Sequence, residues 1–145
     1  DITLMLPALG PVSSPAPCDY PKSQRNLAQG PKSLAARVAE PDYAEATDPI
    51  PRCLNALALL AGGEAAYLPL VQREAQWAAD FRTDDFRTWY YGYVMIFLAE
   101  YSTATGDDSL LPGLRRLALE AANGQSAVGS WGHTFALPDG RLQGY

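Results

Sequence analysis

Apolar residues recur at helical spacing over most of this chain. Leu27, Leu34 and Val38 are seven and four residues apart, and a similar spacing of Leu, Ala and aromatic residues continues to about residue 123. This periodicity places apolar side chains on one face of a helix. The pattern predicts helices over residues 22–40, 48–60, 64–80, 88–105 and 108–123.

Asparagine, aspartate, glycine and proline mark the ends of these helices. Asp48-Pro49 is typical of a helix start, because Asp caps the first turn and Pro fits its first position. Gly62-Gly63, Gly106-Asp107 and Asn123-Gly124 are expected to end the helices before them. Gly30-Pro31 interrupts the first segment, which is therefore either one kinked helix or two short ones.

The two ends of the chain do not follow the helical pattern. Alternate residues of 1–6 are apolar, which predicts a strand whose sheet is expected upstream. The prolines that follow predict an extended linker, so residues 1–21 are the end of another domain and residues 22–145 the helical domain. After Gly124 we expect a loop, with a short hairpin turned by Pro138-Asp139-Gly140.

The chain also repeats itself with an offset of 43 residues, measured from Gly63 to Gly106. The matched pairs are Gly63/Gly106, Leu68/Leu111, Pro69/Pro112, Arg73/Arg116, Ala75/Ala118, Ala78/Ala121 and Ala79/Ala122. A period of about 40–47 residues is typical of stacked helical hairpins, whose apolar stripes cover one another. The predicted fold is all-α: antiparallel α/α hairpin repeats that form an incomplete α/α toroid, after a short strand and linker.

Composition narrows the classes of function. The net charge of −5, the pI near 4.7 and the scattered Lys and Arg residues argue against nucleic-acid binding. Apolar content of 48% and charged content of 19% are those of a folded domain. No apolar run reaches the roughly 18–20 residues of a membrane span. No basic leader is visible, and we expect the chain to be a piece of a longer one.

Cysteine and histidine spacing gives no sign of a metal site. Cys18 and Cys53 could form a disulfide in an oxidising compartment, or both could be small apolar residues. No pair of Cys or Cys and His residues has the spacing of a zinc site. Phosphate-binding, dinucleotide-binding and serine-hydrolase motifs are missing too. We therefore predict neither a metal nor a cofactor.

Gln125, Gly129 and Trp131 form the most specific short motif. They match the core of the QW motif of terpenoid cyclases, whose toroids are built from α/α hairpins. Glu120 and Ala121 stand where the full motif has an aromatic and a basic residue. The role that this resemblance implies is structural: Gln caps helix ends, Trp packs over the turn, and Gly provides the backbone angle.

Asp84-Asp85 invites comparison with the aspartate-rich sites of the same enzymes, but its spacing does not fit. The first Asp of a DxDD acid and the last Asp of a DDxxD site are both missing. Without them there is neither a strong proton donor nor a magnesium clamp. We interpret the segment as an acidic turn that caps the next helix, which disfavours a cyclase reaction.

His133 is the one histidine of the chain and lies in a glycine-rich loop. Its ordinary pKa lies near neutrality, so it is a candidate general acid or base. Asp139 and Tyr145 are candidate partners only if the loop folds back. The alternative is a hydrogen-bonded loop histidine with no catalytic role.

Aromatic residues are concentrated at the start of the fourth predicted helix. Trp89, Tyr90 and Tyr93 could line a groove that holds a sugar or an extended peptide, or they could pack in the core. Trp131 and Tyr145, from the C-terminal segment, complete the set of candidate binding residues.

The string LPALGxxSxxAPCxYPKS resembles the C-terminal end of a PDZ domain in a group of large bacterial proteins. In those proteins a helical, toroid-like domain follows. GQSxxGSWGH and PDGRLQGY, which end at His133 and Tyr145, are similar to the most specific part of that helical domain. The resemblance implies a PDZ module before residue 1 and further helical hairpins after Tyr145 as partners. By analogy, it implies export to the periplasm or cell surface, and it brings no reaction.

Two functions follow from these observations, and a third is disfavoured. The first is a helical-repeat scaffold or binding domain for a peptide or a glycan. The second is an α/α-toroid enzyme that acts on polysaccharide, with His133 and a tyrosine as acid and base. The third, a terpenoid cyclase, lacks its aspartate motifs.

Overall fold

The structure is a computed structural model that describes residues 21–143. Its helices are α1 (Pro21–Val38), α2 (Pro49–Ala61), α3 (Leu68–Ala79), α4 (Thr88–Thr105) and α5 (Leu111–Asn123), with 3₁₀ helices at Pro41–Glu45 and Ala65–Tyr67. Within this range no strand forms, and Thr134 makes isolated bridges to Arg87 and Gln143. The all-α prediction is confirmed. The predicted strand, most of its linker and Tyr145 lie outside the described residues.

The helices stack as two hairpins side by side. α2 and α3 form the first hairpin and α4 and α5 the second, as the repeat predicts. α2 packs most extensively against α4, and α3 packs against α5. The hairpins therefore form two layers, one of α2 and α4 and the other of α3 and α5. α1 packs against α2, as α3 packs against α4.

The predicted stop and start signals act as expected at several helix ends. The Asp48 carboxylate accepts a hydrogen bond of 3.0 Å from the Ile50 amide and so caps α2. α4 ends at Gly106, whose φ of 70° lies in the left-handed region that favours glycine. These signals set the start of the first hairpin and the turn within the second at the predicted places.

α3 and α5 begin later than the apolar pattern predicts. They start at Leu68 and Leu111 rather than at Glu64 and Asp108. In both helices a proline occupies the second position. Proline lacks the amide that an interior helical position needs, so it belongs in the first turn and fixes where the helix starts. The repeat thus preserves the helix start as well as the apolar face.

α1 is one continuous helix that contains Pro31. This decides between the two alternatives for Gly30-Pro31 in favour of a single helix. Pro31 cannot donate to the carbonyl of Leu27, four residues earlier, and Leu27 is exposed. On an exposed helix face water can take the place of the missing donor, so the helix continues.

The core lies between the two hairpins and extends under the C-terminal loop. Its most deeply buried apolar residues are Val38, Cys53, Ala56, Leu59, Val71, Ala75, Ala78, Val94, Phe97 and Leu117. Tyr91 joins this core to the loop, because its ring centroid lies 4.6 Å from that of Phe135 and 6.1 Å from that of Phe81. The C-terminal segment is therefore part of the packed domain.

The repeat extends to hydrogen bonds between helices. Arg73 in α3 donates to the carbonyl of Val38, the last residue of α1, at 2.6 Å. The equivalent Arg116 in α5 donates to the carbonyl of Phe81 at 2.8 Å and to that of Ala79, the last residue of α3, at 3.1 Å. Val38 and Phe81 are related by the same 43-residue offset as the two arginines. α1 is therefore the counterpart of α3 and α5 in an earlier, partial repeat.

A buried ion pair breaks this equivalence between the hairpins. The guanidinium of Arg52 in α2 lies 2.6 Å from the carboxylate of Glu74 in α3, and their side chains are 3% and 1% exposed. Arg52 also donates to the Ala46 carbonyl at 2.9 Å, and Arg73 lies 2.9 Å from the second Glu74 oxygen. With the repeat offset of 43 residues, the corresponding residues of the second hairpin are apolar, Met95 and Leu117.

Candidate binding site at the loop end

Three loops meet at one end of the helix stack, where α2 and α4 begin and α3 and α5 end. They are residues 39–48, 80–87 and 124–143. The C-terminal loop is tied to the second of them, because the Phe135 amide donates to the Phe86 carbonyl at 2.9 Å. The rings of these two phenylalanines also stack, with their centroids 5.7 Å apart. We call this region the loop end.

Two adjoining cavities open at the loop end, between the first and second hairpins. The first has a volume of about 310 Å³ and is lined by Thr47, Asp48, Pro49, Phe81, Arg82, Thr83, Asp85 and Tyr90. The second, of about 290 Å³, is lined by Thr47, Trp77, Asp80, Phe81 and Arg82. Three residues line both cavities, so together they form one cleft, which we call the loop-end cleft.

Hydrogen bonds within the protein fix the polar side chains of the loop-end cleft. Asp48 is held by its capping bond to Ile50, and Asp85 lies 2.8 Å from the guanidinium of Arg87. Arg82 donates to the Phe81 carbonyl at 3.0 Å. A carboxylate can accept about four hydrogen bonds. Both aspartates therefore keep capacity for the hydroxyl or amide donors of a ligand.

Aromatic rings form the remaining walls of the cleft. The Arg87 guanidinium carbon lies 5.4 Å from the centre of the Tyr90 ring. The Trp77 ring of the second cavity is held from inside the protein, because the buried Arg52 guanidinium lies 3.8 Å from its centre. The Phe81 ring centroid lies 5.7 Å from that of Trp77, with the two planes tilted. Cation–π and aromatic contacts hold such rings in place. The cleft thus combines fixed aromatic rings with fixed carboxylates.

The structure separates the aromatic residues that the sequence grouped together. Of the predicted set, Tyr90 lines the loop-end cleft, whereas Tyr93 is partly buried against the core. Trp89 lies at the surface beside His133. Tyr91 is buried, and this burial raises the pKa of its phenol to about 12. Tyr145 lies outside the described residues.

His133 is exposed and lies against Trp89. The two ring centroids are 4.7 Å apart and the planes nearly perpendicular, at 89°. Its backbone carbonyl accepts a hydrogen bond of 3.0 Å from the Thr88 amide, at the start of α4. His133 is not among the residues that line either cavity of the loop-end cleft. The structure therefore brings His133 to Trp89, outside the lining of the loop-end cleft.

This bond to His133 corrects the predicted role of Asp84-Asp85. No side chain caps α4, and Asp85 pairs with Arg87 instead. The prediction that the acidic turn caps the next helix is therefore wrong. The acceptor for the Thr88 amide comes from the folded C-terminal loop, which local sequence could not show.

The Gln125–Trp131 motif holds the C-terminal loop to α5. The Trp131 indole donates to the Ala121 carbonyl in the last turn of α5, at 2.8 Å. Gln125 donates to the Gly129 carbonyl at 3.3 Å, and the backbone angle that Gly129 provides is a left-handed φ of 80°. The motif thus supplies a helix cap as expected, but Trp is the residue that caps and Gln braces the turn.

Sequence reasoning missed most residues of the loop-end cleft. Thr47, Trp77 and Arg82 come from three separate segments, which only the packing of the hairpins brings together.

Among residues 21–143, no group of three or more His, Cys, Asp or Glu side chains could hold a metal ion. In the same part of the chain, no helix has the length and apolar character to cross a membrane.

Residues 23–145 match the sequence model of a family described as a domain of unknown function (DUF6288). The chain belongs to the DUF6288 family. No curated protein and no solved structure matches it. The DUF6288 match begins in the first turn of α1 and covers both hairpins, the loop-end cleft and the C-terminal loop.

Proposed function

We propose that this DUF6288 domain is a helical-repeat binding module that holds a glycan in the loop-end cleft. The observation that carries the proposal is the composition of the cleft, in which Tyr90 shares the first cavity with Asp48 and Asp85 and Trp77 shares the second with Asp80. The apolar C–H face of a sugar packs against an aromatic ring, while its hydroxyls donate to carboxylates. The same domain would serve as a scaffold in an exported bacterial protein, as the resemblance to PDZ-associated proteins suggests.

The size of the cleft supports a short stretch of sugar units. Ligand pockets typically measure about 300–1,000 Å³, and the two cavities of about 310 and 290 Å³ lie at the lower end of that range. Because they adjoin at Thr47, Phe81 and Arg82, neighbouring units of one glycan can occupy both. Asp48, Asp80 and Asp85 outnumber Arg82 in the lining, so the cleft is acidic, which favours neutral or basic sugars over acidic ones.

The test is binding to a panel of neutral, basic and acidic glycans, followed by calorimetry on each hit. Tyr90→Ala is expected to weaken binding at least about tenfold, a cost of about 1.4 kcal/mol, because it removes one aromatic wall. Asp85→Asn should also weaken binding, since it removes a charged acceptor. Circular dichroism establishes that each variant is folded.

Trp89→Ala is the matched control, because Trp89 is an aromatic residue next to Tyr90 but outside the cleft lining. It is expected to bind as wild type does. If Trp89→Ala loses binding and Tyr90→Ala keeps it, the site lies at the Trp89–His133 pair and the proposal is wrong. Binding of peptides but of no glycan would also overturn it.

The enzyme alternative uses the Trp89–His133 contact on the protein surface. It is tested by incubation with the same glycans and analysis for shortened products. If wild type shortens a glycan and a folded His133→Ala variant does not, the domain is an enzyme. If wild type binds a glycan and leaves it intact, the binding function stands alone.

A further inference from the structure

One buried guanidinium lies behind two walls of the loop-end cleft. Arg52 is in the first turn of α2, directly after the loop of residues 39–48, and its side chain is 3% exposed. Its Nη1 atom donates to the Ala46 carbonyl at 2.9 Å and to the Ala44 carbonyl at 3.3 Å. The residue after Ala46 is Thr47, which lines both cavities of the cleft. Arg52 therefore holds the backbone that carries this wall.

The same guanidinium contacts an aromatic wall of the cleft. Its central carbon lies over the Trp77 ring, 3.8 Å from the ring centre, and Trp77 lines the second cavity. A cation in this place attracts the face of the ring and holds it. Because Trp77 is half-buried, the rest of its surface stays open to the cleft. One side chain thus supports two walls that come from different elements, the loop before α2 and the helix α3.

The Glu74 carboxylate fixes the direction of the guanidinium. The Nε atom of Arg52 donates to one Glu74 oxygen at 2.7 Å, and Arg73 donates to the other oxygen at 2.9 Å. The five N–H donors of a guanidinium lie in one plane, so a carboxylate that holds one edge also sets where the other edge and the faces point. Here the other edge meets the loop, and one face meets Trp77.

The second hairpin has neither the ion pair nor the aromatic residue that it supports. With the offset of 43 residues, the matched pairs are Arg52/Met95, Glu74/Leu117 and Trp77/Glu120. The loop before α4 is held in another way, because the Thr88 amide donates to the His133 carbonyl. Since a buried ion pair adds little stability over an apolar pair, stability does not account for the charges in the first hairpin. The placement of Trp77 and of the loop does.

We propose that Arg52 is the positioning residue of the loop-end cleft, and that its ion pair with Glu74 serves ligand binding rather than stability. The ligand contacts Thr47 and Trp77, and the buried Arg52 acts through them. Walls that are already held in place need no ordering when the ligand binds, which preserves affinity. The inference rests on the proposed function for its ligand, whereas the rigidity of the walls can be measured without one.

The test replaces the ion pair by the apolar pair of the second hairpin, Arg52→Met together with Glu74→Leu. Urea denaturation is expected to show a double variant about as stable as wild type, because the remaining charge, Arg73, is 39% exposed. Calorimetry with a glycan that wild type binds should show affinity lowered at least about tenfold, since the Trp77 ring and the loop must then be ordered on binding.

NMR relaxation without ligand provides a measurement that a purely stabilising role would not affect. In wild type, the Thr47 amide is expected to have an order parameter of about 0.85, as in rigid backbone, and in the double variant a value below about 0.6. The Trp77 indole should become mobile in the same variant. The Val94 amide, in the fully buried part of α4, should stay rigid in both proteins.

Two single variants separate the contribution of geometry from that of charge. Arg73→Met is the matched control, because Arg73 binds the same carboxylate but its other bond goes to the Val38 carbonyl, away from the cleft. It should keep both affinity and rigidity. Arg52→Lys keeps a cation for Glu74 but lacks the planar group that reaches the loop and Trp77 together. It should show the losses of the double variant, and it carries the same comparison if the double variant does not fold.

The inference is wrong if the double variant stays rigid at Thr47 and Trp77, or if it loses that rigidity and still binds as tightly as wild type. Full affinity in Arg52→Lys would also contradict it, because a positive charge alone would then be enough. If wild type binds no glycan, the proposed function fails, and the relaxation data still decide whether Arg52 holds the two walls.

Discussion

At the scale of single residues, the most telling comparison is between Arg52–Glu74 and Met95–Leu117. The two pairs occupy equivalent places in the two hairpins, so the fold accepts either a buried ion pair or an apolar pair there. The attraction within a buried pair barely repays the loss of hydration, whereas one buried charge left alone is strongly destabilising. The pair Met95–Leu117 therefore shows which apolar residues can be substituted for Arg52 and Glu74 to measure the energetic contribution of the ion pair.

We expect Glu74→Leu to lower the free energy of unfolding by about 3–5 kcal/mol, because it leaves Arg52 buried without its carboxylate. The double variant Arg52→Met, Glu74→Leu should recover to within about 1 kcal/mol of wild type, or exceed it. Urea denaturation of wild type, both single variants and the double variant measures these values. A double variant no more stable than the weaker single variant would contradict this account.

The Cys53 thiol gives a second prediction at this scale. Burial raises its pKa from 9.0 to about 12, so the folded state favours the neutral thiol. Its contribution to stability is therefore complete below pH 9.0 and is lost as the pH rises toward about 12. In a Cys18→Ser chain, we expect a thiol reagent at pH 8 to label Cys53 only after urea unfolding. Rapid labelling of the folded chain would mean that Cys53 is accessible.

At the scale of helices, α1, α3 and α5 each accept a hydrogen bond at the C-terminal end from a side chain that lies later in the chain. Arg73 bonds to the end of α1, Arg116 to the end of α3, and Trp131 to the end of α5. The last carbonyls of a helix have no partner inside it, so each bond satisfies an acceptor and fixes the position of the next unit. Trp131 takes over this task where the described repeats end.

The contact between α3 and α5 gives a prediction for glycine. Gly113→Ala would place a methyl group 2.6 Å from the Ala79 carbonyl oxygen, and we expect a loss of about 1–3 kcal/mol from overpacking. Gly92→Ala is the control, because an added Cβ in α4 would meet no atom within 4 Å. It should stabilise the protein by about 0.5–1 kcal/mol through helix propensity. Equal effects in thermal unfolding would argue against the close approach of α3 and α5.

At the scale of the whole molecule, the helices in the middle of the stack are the most completely packed. α2 and α4 lie against each other and against the second layer, whereas residues 24–30 of α1 are exposed. Stability is correspondingly uneven in such a domain. The mid-chain hairpins form its cooperative unit, and the first half of α1 depends on them.

Hydrogen exchange followed by NMR should reveal this gradient. The amides of Val94 and Phe97, in the fully buried part of α4, are expected to exchange only through global unfolding. Residues 24–30 should exchange fastest among the helices, because their helix is exposed on most sides. Equal protection of both regions would show that α1 unfolds only with the rest.

The part of the architecture that sequence could predict is the part that repeats. The repeat predicts that Leu68 and Leu111 lie at equivalent places in two helices, which is confirmed, although the apolar spacing placed both helix starts a few residues too early. The loop-end cleft could not be found in this way, since Thr47 and Arg82 meet only after the hairpins pack. Arg52 and Glu74 did leave a signal, because the 43-residue offset sets both against apolar residues.

The ion pair found in one hairpin alone also bears on how the chain avoids confusing its own copies. Similar segments in one polypeptide can pack against the wrong partner segment during folding. Here such an exchange would set Arg52 against Leu117 and Glu74 beside Met95, so the buried Arg52 would lose its carboxylate and Glu74 would keep only its contact with Arg73. Loss of the ion pair makes the exchanged packing less stable, so the ion pair favours the correct packing of α2 against α3.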